Sequence, residues 1–204
     1  MGDRVNPISV RSKRRITDAL LELMQTTPFS KITVKEIVER AGLTRQTFYH
    51  NFESREDVLL YRLDELTEGF IEYLISHKVG GWEDLICCFF RYWQEHEDFM
   101  QLLMKNDLTD LFSMRIPPFF EYVKLVHFDK TDLTDAEARL WYAFVSGAVV
   151  STLTSWLTSS GGITARQLAR MVVSMLDGSM MNRNEGASLP GAKAVVEGMT
   201  SEQS

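Results

Sequence analysis

The sequence is poor in cysteine, and its only two thiols, Cys87 and Cys88, are neighbours. Adjacent cysteines close a strained ring when they are oxidised, so we expect no structural disulfide. Two thiols also fall short of a zinc ligand set, and His77 and His96 add no metal-binding spacing. We therefore expect buried, reduced thiols and no metal or other cofactor, with a redox-sensing pair of thiols as the lesser alternative.

The sequence also lacks the patterns that carry common enzyme chemistry. We find no internal repeat, no glycine-rich phosphate loop, no pair of carboxylates placed for acid–base catalysis and no nucleophile beside a base. The Ser-rich segment L-T-S-S-G-G at residues 157–162 does not have the form of a nucleophile elbow. These absences predict that the protein is not an enzyme.

Basic residues are outnumbered by acidic ones, and the net charge of −6 argues on its own against a nucleic-acid partner. The charges are segregated, however. Residues 1–52 contain nine Lys and Arg and five Asp and Glu, a net charge of +4, whereas residues 53–204 contain 13 and 23, a net charge of −10. A basic head on an acidic body is typical of a protein that meets phosphate at one end. The first residues, M-G-D-R-V-N-P, show no apolar segment of a secretory signal, so we expect a cytoplasmic protein.

The 21 residues from Ile32 to Phe52 contain the signals of two short helices joined by a tight turn. Thr33 and Glu36 have the spacing of a capping box at the start of the first helix. Gly42 marks the end of that helix, because glycine takes positive φ without steric cost. The apolar stripe of the first helix consists of Val34, Ile37, Val38 and Ala41, and Thr44 can cap the second helix.

The second of these helices has an apolar face and a polar face. Phe48 and Phe52 lie one turn apart and are expected to point inward. At about 100° per residue, the opposite face consists of Gln46 and His50, flanked by Thr47 and Tyr49, with Arg45 in the first turn. Side chains of these types read base edges and hold phosphate oxygens. A helical hairpin with a solvated polar face would show the same pattern, so both interpretations stay open on this segment alone.

The segment from Ile32 to Leu59 resembles the DNA-binding domain of TetR-family transcriptional regulators. The resemblance rests on the pattern I-T-V-x-x-I-V-x-x-A-G-L-T-x-x-T-F-Y-x-x-F-x-S-R-E-D-V-L. It covers residues 10–60, and the rest of the chain matches only in length and helical character. Asn51 stands where histidine is common in the family and Arg55 where lysine is common. Both lie at positions that can alter which operator is read.

The resemblance implies an all-α protein of about nine helices. Its N-terminal three-helix DNA-binding domain would include the helix-turn-helix, and its C-terminal helical domain would bind a ligand and dimerise. We expect a mobile arm at residues 1–9, the DNA-binding domain at 10–56, the regulatory and dimerisation domain at 57–181 and a disordered tail at 182–204.

Eight residues are the candidate DNA contacts. We expect Gln46 and His50, and then Arg45, at base edges, and the others at phosphates, where they fix the docking. The remaining candidates are Thr33, Lys35, Thr44, Thr47 and Tyr49.

A basic cluster opens the first predicted helix and consists of Arg11, Lys13, Arg14 and Arg15. It either grips the DNA backbone without sequence preference or is a solvated helix start.

From Trp82 onward the sequence is rich in aromatic residues and methionine at helical spacings. This pattern is typical of a plain core, and it also suits a mostly apolar small-molecule cavity. The resemblance implies an effector site in this domain, although no shared motif identifies its residues. The candidate lining residues are Trp82, Phe89, Trp93, Met104, Phe112, Phe119, Tyr122, Trp141 and Phe144.

The longest apolar run has no charged residue between Arg139 and Arg166. Its length requires a membrane span to be considered. We disfavour one, because eight Ser and Thr side chains lie between Ser146 and Ser160 and no cationic cluster flanks the run. A helix buried on several sides by protein explains the run better.

This helix is expected to begin at a capping box of Thr134 and Glu137 and to stop at Gly161. Small side chains spaced by four residues along it would let another helix approach closely. This helix and the next one, contributed by each of two chains, are expected to form a four-helix dimer interface like that of TetR-like regulators. The candidate interface residues are Ala143, Gly147, Ser151, Ser155, Leu168, Met171, Val172 and Met175.

The sequence thus predicts a homodimeric, sequence-specific DNA-binding regulator, with a repressor released by a small-molecule effector as the expected form. Its partners would be an inverted-repeat operator in double-stranded DNA, a second copy of the chain and the effector, with no membrane. Two alternatives remain. One is an enzyme or ligand carrier that uses the aromatic body, and turnover without DNA binding would favour it. The other is a DNA-free adaptor, which would lack salt-sensitive retention on DNA.

Overall fold

The computed structural model describes residues 7–77, 79–115, 134–159 and 161–176, and all regular structure within these ranges is helical. A 3-10 turn at Phe29–Lys31 separates the first two helices. The arrangement confirms the predicted all-α fold, with a three-helix N-terminal domain followed by a helical body. The helices are α1 Pro7–Thr26, α2 Val34–Ala41, α3 Arg45–Asn51, α4 Arg55–His77, α5 Trp82–Glu95, α6 Glu97–Lys105, α7 at 109–115, α8 Asp135–Thr158 and α9 Ala165–Leu176.

Helices α1, α2 and α3 pack against one another and form the head. Their apolar faces meet in one core, in which Ile16, Leu20, Ile37 and Phe48 are all 0% exposed. Helices as short as α2 and α3 are not stable in isolation. The shared core therefore holds the second and third helices in place.

Helix α4 joins the head to the body, which we define as α5 to α9, without a break in the helix. On the head side, the Tyr61 ring lies 5.7 Å from the Phe52 ring. On the body side, the Phe70 ring lies 5.8 Å from Phe89, and the Tyr92 hydroxyl donates to the Leu66 carbonyl oxygen at 2.7 Å. The connection between the two parts is thus a packed helix and not a linker.

Helix α9 lies against α5 of the same chain. Leu168 and Val172 are only 2% and 4% exposed, and Arg170 Nε pairs with Glu83 Oε1 at 3.1 Å. Two of the four interface candidates on this helix are therefore already covered within the chain. The other two are Met171, which is half-buried, and Met175, which is exposed.

Helix α8 has one face inside the chain and one apolar face outside it. Val149 and Leu153 are fully buried, whereas Leu140 and Phe144 are 73% and 62% exposed. Within the described residues, the segment Arg139–Thr158 is long and apolar enough to span a membrane by length and composition. Its buried valines belong to the same apolar core as the rest of the body. Leu140 and Phe144 lie one helical turn apart, so this apolar side of α8 is not covered by the described part of the chain.

The structure shifts some of the predicted boundaries. Helix α1 begins at Pro7, so residues 7–9 of the predicted arm are helical, because proline is favoured at the first position of a helix. Helix α8 begins at the predicted capping box of Thr134 and ends at Thr158, before Gly161. The remaining arm residues 1–6, the predicted tail 182–204 and the pocket candidates Phe119 and Tyr122 lie outside the described residues.

Candidate nucleic-acid interface

The start of α2 and the turn between α2 and α3 are fixed by the local interactions that the sequence predicts. The Glu36 backbone N–H donates to Thr33 Oγ1 at 3.3 Å, and the Thr33 N–H donates to the Glu36 carboxylate at 2.7 Å. Hydrogen bonds from the Thr33 side chain and backbone hold the pKa of the Glu36 carboxyl below its ordinary value. Gly42 ends α2 at φ 61°, where a Cβ atom would lie 2.9 Å from Arg15 Nη2. The turn therefore has a defined geometry that requires glycine at its centre.

Helix α3 is anchored by its two phenylalanines. Phe48 and Phe52 are buried, with their ring centroids 6.0 Å apart. At the other end of the helix, Thr44 Oγ1 accepts a hydrogen bond from the Thr47 backbone N–H at 3.1 Å. The helix cannot rotate without opening the core of the head, so the orientation of its polar face is set by the fold.

The polar face of α3 points to solvent. Arg45, Gln46 and His50 are exposed, and their side chains make no hydrogen bond or ion pair with the part of the chain that the structure describes. Tyr49 is 60% exposed, with its ring edge against Phe48 at 5.4 Å. A cation in the first turn is unfavourable for an isolated helix. Arg45 would be stabilised there by an anion such as a DNA phosphate.

The residues expected at DNA phosphates differ in the contacts that their side chains already make within the chain. Lys35 Nζ lies 3.7 Å from Glu39 Oε1 in an exposed pair, and such pairs contribute little, so the lysine can exchange its partner. The hydroxyls of Thr33 and Thr44 cap helices, and Thr47 Oγ1 lies 2.9 Å from Thr44 Oγ1. These hydroxyls can bind a DNA phosphate only if they also keep the hydrogen bonds that they make within the chain.

The basic cluster of α1 divides into two pairs. Lys13 Nζ lies over the rings of Phe52 and Tyr61, at 5.8 and 5.2 Å from their centroids, and Arg15 Nη2 donates to the Gly42 carbonyl oxygen at 3.5 Å. These two side chains stabilise the head internally. The exposed side chains of Arg11 and Arg14 remain the candidates for backbone grip.

The first turn of α1 lies beside α3, a proximity that the sequence reasoning missed. Ser9 Oγ donates to Asn51 Oδ1 at 2.7 Å, and Asn51 Nδ2 donates to the Thr47 carbonyl oxygen at 2.7 Å. Pro7 at the helix start was the available signal, because it places this turn inside a helix and not in an arm. An open cleft of about 280 Å³ next to these hydrogen bonds is lined by Ile8, Ser9, Ser12, Gln46, Thr47, His50 and Asn51.

Three of the predicted pocket residues meet in the body. Phe89, Trp93 and Phe112 are buried, and the Trp93 ring lies 4.6 Å from the Phe112 ring in an edge-to-face arrangement. The buried Trp93 Nε1 has no hydrogen-bond partner among the described residues. A buried donor of this kind costs free energy until it is paired.

The other described pocket candidates lie further out. Trp82 and Met104 are half-buried at the edge of the core. Trp141 is also half-buried, and its ring lies 6.1 Å from the exposed ring of Phe144 on α8. The structure therefore separates a buried aromatic group in the body from an aromatic pair near the outer face of α8.

The two thiols have an environment of low reactivity. Cys87 is buried and Cys88 is half-buried, and both are free. Burial raises the pKa of the Cys88 thiol, and neighbouring Cys87 and Asp84 raise it further. The thiolate form of Cys88, which redox chemistry needs, is therefore disfavoured. No group of three or more His, Cys, Asp or Glu side chains able to hold a metal ion occurs among the described residues.

The small-residue stripe of α8 faces outward. Ala143, Gly147, Ser151 and Ser155 are all exposed and follow one another at intervals of four residues. A Cβ atom added at Gly147 would meet no atom of another described segment within 4 Å. Among the described residues, the stripe is thus uncovered at Gly147, next to the exposed side chain of Phe144.

The head is a helix-turn-helix. Its two short helices are capped and joined at the left-handed Gly42, and the second helix is anchored by buried phenylalanines and has its polar face outward. The head is carried on an all-helical body. This combination of fold and site defines a helix-turn-helix transcriptional regulator.

Two family comparisons agree with this assignment. The family described as bacterial regulatory proteins, tetR family, matches residues 16–61, and the one described as transcriptional regulator C-terminal region matches residues 80–178. The chain belongs to the TetR family of transcriptional regulators. Members of this family are usually not enzymes.

One curated relative is also a helix-turn-helix transcriptional regulator. An HTH-type dhaKLM operon transcriptional activator, DhaS, from Lactococcus lactis subsp. lactis (strain IL1403) is 28% identical over 100 residues, which make up 48% of this chain and 52% of the relative. The match thus spans about half the length of that curated relative.

Solved structures show the fold over most of the chain. Lin0861 from Listeria innocua has a TM-score of 0.71 at 14% identity, covering 88% of this chain and 96% of its own. A TetR transcriptional regulator from Streptococcus agalactiae 2603V has a TM-score of 0.60 at 20% identity, and the match covers 83% of this chain and 95% of that regulator.

Proposed function

We propose that the chain is a homodimeric, sequence-specific DNA-binding regulator that acts in the cytoplasm on an inverted-repeat operator. The observation that carries this proposal is the exposed, unengaged face of Arg45, Gln46 and His50 on a helix that buried Phe48 and Phe52 hold in place. Such a helix fits the major groove, where side chains of these types form hydrogen bonds with base edges. Two heads related by a two-fold axis would read two inverted half-sites about one helical turn apart or somewhat more.

The surface of the body supports the dimer. The exposed Leu140 and Phe144 are large apolar side chains on one side of α8, and the open stripe that includes Gly147 lets a second helix approach closely. Met175 of α9 is a further exposed large apolar side chain of the body. We place the two-fold contact on α8 and on the outer side of α9, because the inner side of α9 is occupied by α5.

The aromatic group of the body supports an effector site. The buried Trp93 Nε1 is a hydrogen-bond donor without a described partner, next to the rings of Phe89 and Phe112. A mostly apolar small molecule that carries a hydrogen-bond acceptor would satisfy this donor. Its binding would shift the population of head spacings and release a repressor from its operator, to the extent that it prefers one spacing over the other.

A role as an activator is the second candidate. The relative from Lactococcus lactis is named an activator of the dhaKLM operon. The same contacts with DNA serve either role, because the position of the operator relative to the promoter decides the outcome. A reporter assay that can register both a rise and a fall in transcription distinguishes the two.

A selection from fragments of the source genome tests the proposal. The purified full chain is mixed with the fragments, and the bound fragments are sequenced after washes at increasing salt. We expect enrichment of a few fragments that share an inverted repeat, with retention that falls steeply with salt concentration. Retention that is insensitive to salt, or enrichment without a shared sequence, would contradict the proposed function.

Substitutions at Gln46 and Lys35 separate base reading from phosphate grip. Gln46→Ala should weaken binding to the selected operator by about 1–3 kcal/mol and reduce discrimination against altered half-sites. Lys35→Ala should weaken binding to all DNA to a similar extent. It should also reduce the slope of log K against log salt concentration by about one. Titrations of both variants on the operator and on random DNA at several salt concentrations measure these effects. Identical selectivity profiles for the two variants would contradict the assigned roles.

A further inference from the structure

The body holds the turn that leads into the helix-turn-helix. The Phe29 backbone N–H, in the 3-10 turn after α1, donates to Asn106 Oδ1 at 2.7 Å, across 77 positions in sequence. The Nδ2 atom of the same Asn106 side chain donates to the Leu102 carbonyl oxygen at 2.8 Å. Asn106 is the C-cap residue of α6. One side chain therefore connects the end of a body helix to the backbone of the head.

Arg55 holds the same turn from another side. Its Nη1 donates to the Phe29 carbonyl oxygen at 2.9 Å and also to the Ile32 carbonyl oxygen. Its guanidinium lies over the Phe29 ring, 4.8 Å from the centroid. Arg55 is the first residue of α4, the helix that runs on into the body. We call Phe29, Ile32, Arg55 and Asn106 the clamp.

The clamp acts on the residues that start α2. Ile32 is followed at once by Thr33, whose capping box opens α2, and α2 is joined to α3 by the turn at Gly42. The backbone between the clamp and α3 contains no long flexible segment. A displacement of Phe29 and Ile32 would therefore be passed on to the helix that faces the DNA.

The junction between α1 and α6 also contains an open, polar cleft. This cleft of about 330 Å³ is lined by Gln25, Asp98, Gln101, Leu102 and Lys105. Lys105 Nζ reaches the Gln25 carbonyl oxygen only at 3.4 Å, in an exposed position. Polar side chains along an open cleft constrain an angle less than a directed, partly buried hydrogen bond does. The hydrogen bond of Asn106 is thus more restrictive than the polar contact of Lys105 at this junction.

We propose that Asn106 is a positioning residue that fixes the angle between head and body and thereby sets which operator spacing the dimer accepts. This inference rests on the proposed function. Asn106 acts through Phe29 and does not touch DNA. A shift of α6 would reach the head through the same hydrogen bond.

A series of operators tests the role of Asn106. One set keeps both half-sites of the selected operator and changes only the number of base pairs between them, and a second set keeps the spacing and changes one base pair in each half-site. Wild type, Asn106→Ala and the control Gln101→Ala are titrated on both sets. Gln101 lines the same cleft from the same helix, and its side chain makes no hydrogen bond among the described residues.

For Asn106→Ala we expect the preference for the best spacing to fall at least about fivefold, which is the lower end of typical coupling between sites. Discrimination against altered half-sites should stay within about twofold of wild type, because α3 keeps its own anchor. Gln101→Ala should match wild type on both sets. Hydrogen exchange of the Phe29 amide should become at least about tenfold faster in Asn106→Ala alone, since its acceptor is lost.

The outcomes separate this inference from the proposed function. A wild-type protein that does not prefer its operator to random DNA overturns the proposed function. A wild type with a clear spacing preference that Asn106→Ala retains, or an unchanged Phe29 amide, overturns the clamp. If Asn106→Ala does not fold, Asn106→Ser takes its place, because its hydroxyl is too short to reach Phe29 and the same criteria apply.

Discussion

Replacement of Phe48 by alanine should lower the free energy of unfolding of the head by about 3–5 kcal/mol, the range for a buried phenylalanine. The ring is 0% exposed and lies against the rings of Phe52 and Tyr49. Its loss leaves a cavity under a helix of seven residues, which has no independent stability. A whole domain is stable by only about 5–15 kcal/mol, so Phe48→Ala removes a large part of the total.

Denaturant unfolding followed by circular dichroism measures this loss. Tyr49→Ala is the matched control, since it removes a neighbouring aromatic side chain that is mostly exposed, and it should change the stability by less than about 0.5 kcal/mol. Operator binding by Phe48→Ala should disappear together with the folded head. A variant that kept full stability would show that α3 is not anchored by this ring, and the fixed polar face would lose its basis.

Gly147→Leu should convert the proposed dimer into a monomer and reduce operator affinity at least about 100-fold, because one head alone loses the effective concentration that the second head supplies. The position has room for a side chain in the single chain. Leucine also favours a helix over glycine by nearly 1 kcal/mol, so the monomer should fold well. In the dimer, a bulky side chain in the stripe of small residues would keep the two α8 helices apart.

Sedimentation equilibrium gives the mass of Gly147→Leu, and titration of the operator gives its affinity. The control is Gln94→Leu, which adds the same side chain at an exposed position of α5 and should remain a dimer that binds like wild type. Thermal unfolding confirms that both variants are folded. A Gly147→Leu variant that sediments as a dimer would exclude this face of α8 from the interface.

The parts of the head that follow local rules could be predicted from the sequence. The Thr33–Glu36 capping box, the left-handed Gly42 and the burial of Phe48 and Phe52 each depend on residues within one or two helical turns. The same holds for the capping box at Thr134. Short-range patterns of this kind specify both the structure and the orientation of the polar face of α3.

The partners of those elements could not be predicted in the same way. An apolar stripe shows that a face is buried but not what covers it, and Leu168 and Val172 are covered by α5 of the same chain. Likewise, a basic cluster does not reveal that Lys13 lies over two aromatic rings while Arg14 stays exposed.

Hydrogen bonds between distant segments have no sequence signal of their own. Ser9 and Asn51 are 42 positions apart, and Phe29 and Asn106 are 77 positions apart. Both pairs bring a short polar side chain to an element that is remote along the chain. Only the packed arrangement of α1 against α3 and α6 brings these residues together.

A footprint of the purified protein on its selected operator tests the central claim most directly, namely that two copies of α3 enter the grooves of one duplex. Chemical modification of guanine N7 reports contact in the major groove. We predict two protected segments in inverted orientation on one face of the duplex, about one helical turn apart or somewhat more, with protection weakened in both segments by Gln46→Ala. A single protected segment, or protection that Gln46→Ala leaves unchanged, would contradict the account.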